Sequence, residues 1–268
     1  MLILLPPSEG KSAPAAGEPV DHDAIWLPEL ARHRRRVLAK LVALCGRSST
    51  RGVNASLDTL GLSAGQQAEI ARNAGLHEAP AAPAADVYSG VLYEALDAGS
   101  LAADARAWLD ERAVVFSGLW GVVRLPDRIP AYRCSAGVTL PGVGGLTPYW
   151  KKVLNRPLSL AAAEGTVLDL RSGAYAAMWA PSEAVAERTA AVRVLHERVV
   201  DGVARRSVVS HFNKATKGRL VRSLALVAAE PRTVGELTDA LRDLKYTVEE
   251  RPAPAGRPRQ LDLIVAEL

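Results

Sequence analysis

The sequence has few cysteines and no long apolar run, and each of these features excludes a class of protein. Its two cysteines, Cys45 and Cys134, lie far apart and belong to no Cys-x-x-Cys pattern. No His-Glu-x-x-His motif is present either, and the five histidines are scattered, so we predict no zinc or iron site and no cofactor. No run of about 18 apolar residues exists, and residues 1–6 lack the charged region of a signal peptide. We therefore predict a cytoplasmic protein with no membrane partner.

Acidic residues are missing from two stretches of the chain. Residues 30–57 contain seven Lys or Arg and no Asp or Glu, and residues 203–222 contain six and none. The formal net charge is +4. Two such blocks favour a polyanionic partner such as DNA. The alternative interpretation is that they form the solvated faces of basic helices.

Hydrophobic patterning predicts the fold. Continuous apolar runs predict buried strands at residues 2–5, 114–118 and 166–170. Alternating runs predict further strands, paired antiparallel, at residues 192–199, 205–211, 246–250 and 260–266. Helical spacing predicts helices at residues 29–45, 63–73, 89–96, 101–111, 214–227 and 233–244. We predict an α/β fold: a single compact domain over residues 1–268, with a mixed, mostly covered β-sheet flanked by helices.

Small and polar residues lie at or just after the end of each predicted buried strand, as Ser8-Glu9-Gly10-Lys11, Ser117-Gly118 and Arg171-Ser172-Gly173. The basic stretch at residues 210–220 follows a predicted alternating strand and opens a helix, whose free N–H groups suit an anion. Ligands of α/β sheets bind beyond the carboxyl ends of the strands. If these ends converge, they form a cation-rich, hydroxyl-rich site for phosphate or carboxylate. Its residues would be Ser8, Lys11, Ser117, Arg124, Tyr132, Arg133, Ser172, Tyr175, Lys214 and Lys217.

Three further side chains each leave two interpretations open. His211 lies among cations, which favour the neutral imidazole, and a neutral imidazole is able to act as a base; a structural hydrogen-bonding role is the alternative. Trp120 and Trp150 are suited either to packing in the core or to stacking on a base. No GxSxG elbow, Ser/His/Asp arrangement or carboxylate pair for glycoside chemistry stands out.

Five segments occur in one order along the chain: MLILLPPSEGK, Asp86-Val87-Tyr88-Ser89-Gly90, SGLWGVVR with PDRIPAYR, Thr147-Pro148-Tyr149-Trp150, and SHFNKATKGRL. Together they resemble the YaaA family of bacterial peroxide stress proteins. The resemblance implies a cytoplasmic protein of the hydrogen peroxide response that limits free iron and so protects DNA from oxidation. It also implies a single compact α/β domain that binds DNA through a helix-hairpin-helix-like element and a positively charged cleft.

Carried over by position, the resemblance places the polar cleft of the family on Lys11, Asp86, Tyr88, Ser117, Gly118, Arg124, Tyr132, Arg133, Lys214, Lys217 and Gly218. It places the helix-hairpin-helix element at residues 57–69, around Leu60-Gly61-Leu62. Many members carry a Ser-x-Glu-Tyr-x-Lys segment where this chain has Ser172-Gly173-Ala174-Tyr175-Ala176-Ala177. The acid and the lysine are missing here, so chemistry that needs this carboxylate is not expected.

The sequence leaves two functions open. The first is a stress protein that limits free-iron damage by binding DNA through a positively charged cleft, without catalysis. The second is an enzyme that acts on a small anionic or nucleobase-containing molecule in the same cleft, with or without peroxide as a reactant. A deep pocket favours the enzyme, and an open basic groove favours DNA binding.

Overall fold

The apolar segment Leu2–Leu5 forms strand β1 near the middle of an eight-stranded sheet. In the computed structural model of the protein, which describes residues 1–200, 203–208, 210–251 and 253–266, β1 pairs in parallel with two strands. These are β3 (Ala113–Ser117) on one side and β8 (Val167–Asp169) on the other. All four side chains of β1 are buried, as its continuous apolar pattern predicts for a strand covered on both faces.

The sheet is mixed and extends in both directions from β1. Strand β4 (Gly121–Arg124) pairs antiparallel with β3 at one edge. On the other side, β9 (Thr189–Val200) pairs in parallel with β8, and β12 (Arg259–Ala266) pairs in parallel with β9. Strand β11 (Thr247–Arg251) pairs antiparallel with β12, and β10 (Val203–Ser207) pairs antiparallel with the far end of β9. The strand order is β11-β12-β9-β8-β1-β3-β4.

Two small ribbons and a set of helices complete the fold. The ribbons pair β2 (Ala82–Pro83) with β5 (Arg128–Ile129), and β6 (Thr139–Leu140) with β7 (Gly144–Gly145). In chain order, the helices are α1 (Ala31–Cys45), α2 (Thr50–Leu60), α3 (Gln67–Ala74), α4 (Ala84–Val87), α5 (Val91–Leu96), α6 (Ala103–Arg112), α7 (Leu146–Ala161), α8 (Gly173–Ala176), α9 (Glu183–Ala186), α10 (Ser210–Leu226) and α11 (Val234–Asp243). Their buried apolar side chains join those of the sheet in one hydrophobic cluster. The predicted fold class, a single compact α/β domain with a mixed sheet flanked by helices, is confirmed.

Some predicted elements differ from those observed. The strand predicted at residues 205–211 is wrong at its end, because β10 stops at Ser207 and α10 begins at Ser210. Helix α2 was not predicted, since its sequence contains Gly52 and several β-branched residues; Ser49 caps it by accepting a hydrogen bond from the Gly52 N–H. Helix α7 was not predicted either, and it contains Pro157. The turn predicted at Asp201-Gly202 lies outside the described residues.

Arg34 is an exception among the arginines of α1. The spacing of Val37, Leu38 and Leu41 predicts a buried apolar face, and these side chains are buried. Arg34 is buried with them and donates all of its five N–H groups to backbone carbonyl oxygens. The acceptors belong to Ile25, Trp26, Leu27, Trp120 and Val122. This side chain therefore joins the loop before α1 to the turn before β4.

Among the described helices, none has the length and the apolar character that crossing a membrane requires.

Candidate functional site

A cleft of about 390 Å³ lies at the carboxyl ends of β1 and β8. The loop after β1, the start of α5, the segment after β8 and the first turns of α10 form its walls. We call it the strand-end cleft. It is lined by Pro6, Pro7, Ser8, Glu9, Gly10, Ser89, Gly90, Val91, Leu92, Tyr93, Ser172, Tyr175, Asn213, Lys214 and Lys217. Five residues of the predicted site, namely Ser8, Ser172, Tyr175, Lys214 and Lys217, therefore come together here.

A larger depression of about 820 Å³ lies at the opposite edge of the sheet, between the start of α11 and the loop before β12. Its lining mixes arginines with Glu187 and Glu250, and it contains none of the predicted site residues. The strand-end cleft is the stronger candidate, because ligands of α/β sheets bind at the carboxyl ends of the strands.

Gly218 sets the position of α10 in the cleft wall. A β-carbon at this position would lie 2.1 Å from the carbonyl oxygen of Leu92 in α5, so only glycine allows the two helices to approach this closely. The preceding residue is Lys217, and Lys214 lies one turn earlier; both line the cleft. The close approach at Gly218 thus places both lysines at the end of the sheet.

The Lys217 side chain is buried, with 6% of its surface exposed. Its Nζ donates a hydrogen bond of 2.8 Å to the Leu170 carbonyl oxygen, just after β8. Burial lowers the pKa of Lys217 to about 8, although the nearby Asp169 carboxylate acts in the opposite direction. Asp169 is itself engaged by Arg171, whose Nη2 lies 2.6 Å from Oδ2. The ammonium of Lys217 is therefore charged at neutral pH, has N–H groups beyond the one given to Leu170, and titrates close to neutrality.

The other polar groups of the cleft differ in exposure. Lys214 and Ser172 are exposed, whereas Tyr175 is half-buried. Burial raises the pKa of the Tyr175 phenol, which therefore stays protonated at neutral pH. Glu9 is paired with Arg133, whose Nη2 lies 3.0 Å from Oε2. This pairing neutralises the acid in the cleft lining.

A second group of predicted site residues, Lys11, Tyr88, Ser117 and Tyr132, forms what we call the tyrosine cluster. The Tyr132 hydroxyl lies 2.9 Å from the Tyr88 hydroxyl and 2.6 Å from Ser117 Oγ. Lys11 Nζ lies 4.3 Å from the centre of the Tyr132 ring and donates a hydrogen bond to the Ser8 carbonyl oxygen. Burial lowers the pKa of Lys11 to about 8 and raises the pKa of both phenols.

Tyr93 joins the tyrosine cluster to the strand-end cleft. Its ring stacks on the Tyr88 ring, with 5.2 Å between the ring centres, and it also lines the cleft. The Tyr93 hydroxyl donates to the Pro6 carbonyl oxygen at 2.8 Å, which fixes the loop after β1. Through the contact between Tyr88 and Tyr93, the tyrosine cluster packs against this part of the cleft wall.

Two other predicted site residues lie elsewhere. Arg124 pairs with Val114 in the register of β4 and β3, so it lies about 10 Å along the strand from the carboxyl end of β3. Its guanidinium is 4.6 Å from the centre of the Trp26 ring. Asp86 is exposed on α4 and does not line the cleft.

Gly118 and the two tryptophans serve the packing of the core. A β-carbon on Gly118 would lie 2.6 Å from the Cys134 carbonyl oxygen, and the Gly118 carbonyl accepts a hydrogen bond from Trp150 Nε1 at 2.8 Å. Trp120 and Trp150 are fully buried. The side chain of His211 lies outside the part of the chain that the structure describes.

Sequence reasoning missed Asn213 and Tyr93. The helix was predicted to start at Lys214, which left Asn213 in a loop, whereas α10 begins four residues earlier, at Ser210. With the observed helix start, Asn213 and Lys217 are four residues apart and share a helix face. That spacing is the signal that would have found Asn213.

The cysteines and the other described side chains that could bind a metal ion bear on redox and metal chemistry. Cys45 and Cys134 are both buried and unpaired, and burial raises their thiol pKa values to about 11 and about 12. Protonated, buried thiols react slowly with peroxide. Among the described residues, no group of three or more His, Cys, Asp or Glu side chains is arranged to hold a metal ion.

The geometry defines an α/β protein with a cleft at its strand ends, and comparison with known proteins gives its family. Residues 1–251 match the family described as peroxide stress protein YaaA. A UPF0246 protein of Streptomyces coelicolor is 51% identical over 269 residues, covering 100% of both chains. A UPF0246 protein of Corynebacterium efficiens is 40% identical, covering 99% of this chain and 100% of its own. The chain therefore belongs to the YaaA family of peroxide stress proteins, as its sequence segments indicate.

Proposed function

We propose that the strand-end cleft binds one small anionic molecule of the nucleotide type, and that the protein acts in the peroxide stress response through this ligand. The volume of about 390 Å³ supports a small molecule, since small-molecule sites usually span roughly 300–1,000 Å³. The observation that carries the proposal is Lys217, a buried ammonium that lines the cleft without a paired carboxylate among the described residues.

Different residues of the cleft can bind different parts of the ligand. Lys217 supplies a positive charge away from bulk water, where attraction to an anion is stronger than at the surface. Lys214 and Ser172, both exposed, offer an ammonium and a hydroxyl to the more solvated part of the ligand. Because its pKa is about 8, Lys217 is also able to exchange a proton with a bound ligand near neutral pH, as an acid–base catalyst must.

Ligand binding can be tested directly. The purified protein would be analysed by native mass spectrometry for retained small molecules, and then titrated calorimetrically with nucleotides, sugar phosphates and small carboxylates. We expect an anionic ligand to bind the wild type and to bind the Lys217→Met variant at least about tenfold more weakly, because a charge-assisted hydrogen bond is lost. Lys151→Met, an exposed change on α7, is the matched control. Equal binding by both variants, or no anion bound to the wild type, contradicts the proposal.

A second candidate function is DNA binding that limits free-iron damage, and one observation favours it. Helices α2 and α3 pack together and are joined by Gly61, which adopts a left-handed conformation (φ 64°), followed by a capping box at Ser63. Exposed basic side chains lie on α1, α2 and the loop between them: Arg32, Arg36, Lys40, Arg47 and Arg51. This surface is separate from the strand-end cleft, so DNA would bind outside the cleft.

Salt dependence tests the DNA-binding candidate. We expect the affinity for duplex DNA to fall severalfold for each doubling of salt if about five phosphates are contacted. A Lys40→Gln, Arg47→Gln, Arg51→Gln triple variant should weaken DNA binding, whereas Lys217→Met should not. Salt-independent binding, or no binding at low salt, contradicts this candidate.

A further inference from the structure

Asn213 lines the strand-end cleft, and its side chain carries a buried hydrogen-bond acceptor. Its Oδ1 atom is buried, and the residues that the structure describes provide no donor for it. Native proteins leave few such atoms unpartnered, because a buried acceptor that has lost its water is costly. Because Asn213 lines the cleft, a turn of its amide would present this oxygen to the N–H group of a bound ligand.

The neighbour of Asn213 on the same helix face is a donor. Lys217 lies four residues further along α10 and also lines the cleft. Its Nζ uses one N–H on Leu170, which leaves other N–H groups for a ligand. One face of α10 therefore carries an acceptor and a donor one turn apart.

This arrangement complements the edge of a nucleobase. Each base carries an N–H donor beside a ring nitrogen or a carbonyl oxygen on its pairing edge, and proteins read that edge by hydrogen bonds. Pro6, Pro7, Leu92 and Tyr93 give the cleft the apolar walls that suit a flat ring. Lys214, which is exposed, suits a phosphate at the solvated end.

We infer that Asn213 and Lys217 bind the hydrogen-bonding edge of a nucleobase, so that the ligand is a nucleoside phosphate with its base inside the cleft and its phosphate towards Lys214. The inference rests on the proposed function and adds to it the part of the ligand that is recognised and the residue, Asn213, that determines specificity. Phosphate binding alone would leave the Asn213 acceptor unused.

The experiment compares ligands that share a phosphate and differ in the base. The wild type would be titrated by calorimetry with AMP, GMP, CMP, UMP and ribose 5-phosphate, and then with the best nucleotide methylated at its base N–H donor. We expect the best nucleotide to bind at least about tenfold more tightly than ribose 5-phosphate, and methylation to remove that gain, since a matched pair of base contacts is worth this much. Asn213→Ala should lose the same factor for the nucleotide and leave ribose 5-phosphate within about twofold.

The outcomes separate this inference from the proposed function. If ribose 5-phosphate binds as tightly as every nucleotide, or if neither methylation nor Asn213→Ala weakens nucleotide binding, the inference is overturned while the anion site stands. If no nucleotide and no sugar phosphate binds, both this inference and the proposed nucleotide-type ligand are wrong. The methylated nucleotide probes the wild-type protein, so the test holds even if Asn213→Ala does not fold.

Discussion

The two basic, acid-free segments of the chain look alike in sequence, and the fold uses them differently. In the first, Arg34 is buried and its five N–H groups all bond to backbone carbonyls. In the second, Lys217 is buried and the structure gives its ammonium one bond, to Leu170. A buried cation with every donor used holds the chain together, whereas one with donors left over is available to a ligand.

Two other cations of the second segment also differ from Lys217 in their partners. Arg206 is paired with Glu197 and Glu249, and Arg222 donates to the carbonyl oxygens of Leu96 and Asp97. These two side chains are engaged within the protein. The number of basic residues in a stretch therefore says less about a binding site than the partners that each residue finds in the fold.

The sharpest test of the comparison is Arg34→Met, for which we expect the largest effect. The change leaves five carbonyl oxygens without their donor, and we expect the free energy of unfolding to fall by about 3–5 kcal/mol, because buried acceptors without a partner are costly. Arg32→Met, at an exposed position on the same helix, should change it by less than about 0.5 kcal/mol. Urea denaturation of the three proteins measures this, and equal stability of the two variants would show that Arg34 has no structural role.

Gly218→Ala tests whether the position of α10 depends on its approach to α5. The added methyl group would overlap the Leu92 carbonyl, so we expect a loss of about 2–3 kcal/mol in stability, together with weaker ligand binding as Lys217 moves. Gly99→Ala is the control, because a β-carbon there has no atom within 4 Å. Thermal unfolding of both variants decides the matter: a wild-type melting temperature for Gly218→Ala would rule out the tight contact.

The smallest effect that we expect is a change of anion affinity with pH, caused by the titration of Lys217. An anion binds the protonated amine, and because burial lowers the pKa to about 8, the protonated fraction falls as pH rises through that value. The apparent Kd of the anion should rise about tenfold between pH 7 and pH 9. In Lys217→Met this rise should be absent, whereas Lys214→Gln should retain it; a rise that survives in Lys217→Met would assign the titration to another group.

The sequence predicts correctly those elements in which burial produces a continuous or alternating pattern of apolar residues. Strands β1, β3 and β8 follow from apolar runs closed by proline, glycine or polar residues, and the β11–β12 hairpin follows from alternation. The rule that ligands bind beyond strand ends led to residues that now line one cleft, among them Ser172 and Lys217.

The features that were not predicted depend on contacts between residues far apart in sequence, which no local pattern of residues reveals. Arg124 was expected at the site because β4 was not predicted, and the antiparallel direction of β4 carries that arginine away from the strand ends. The burial of Arg34 depends on carbonyls up to 88 residues away in sequence. Asn213 was missed because the predicted helix began at Lys214, whereas α10 begins at Ser210.

The position of β1 in the sheet has a consequence for how the protein is made. The residues that pair with Leu2–Leu5 come from Ala113–Val115 on one side and Val167–Asp169 on the other. At roughly 5–20 residues per second, the ribosome needs about 8–30 seconds to reach the second partner after making β1. During that interval the apolar residues of β1 lack their second strand partner, so we expect a chaperone to be able to bind them before the sheet is complete.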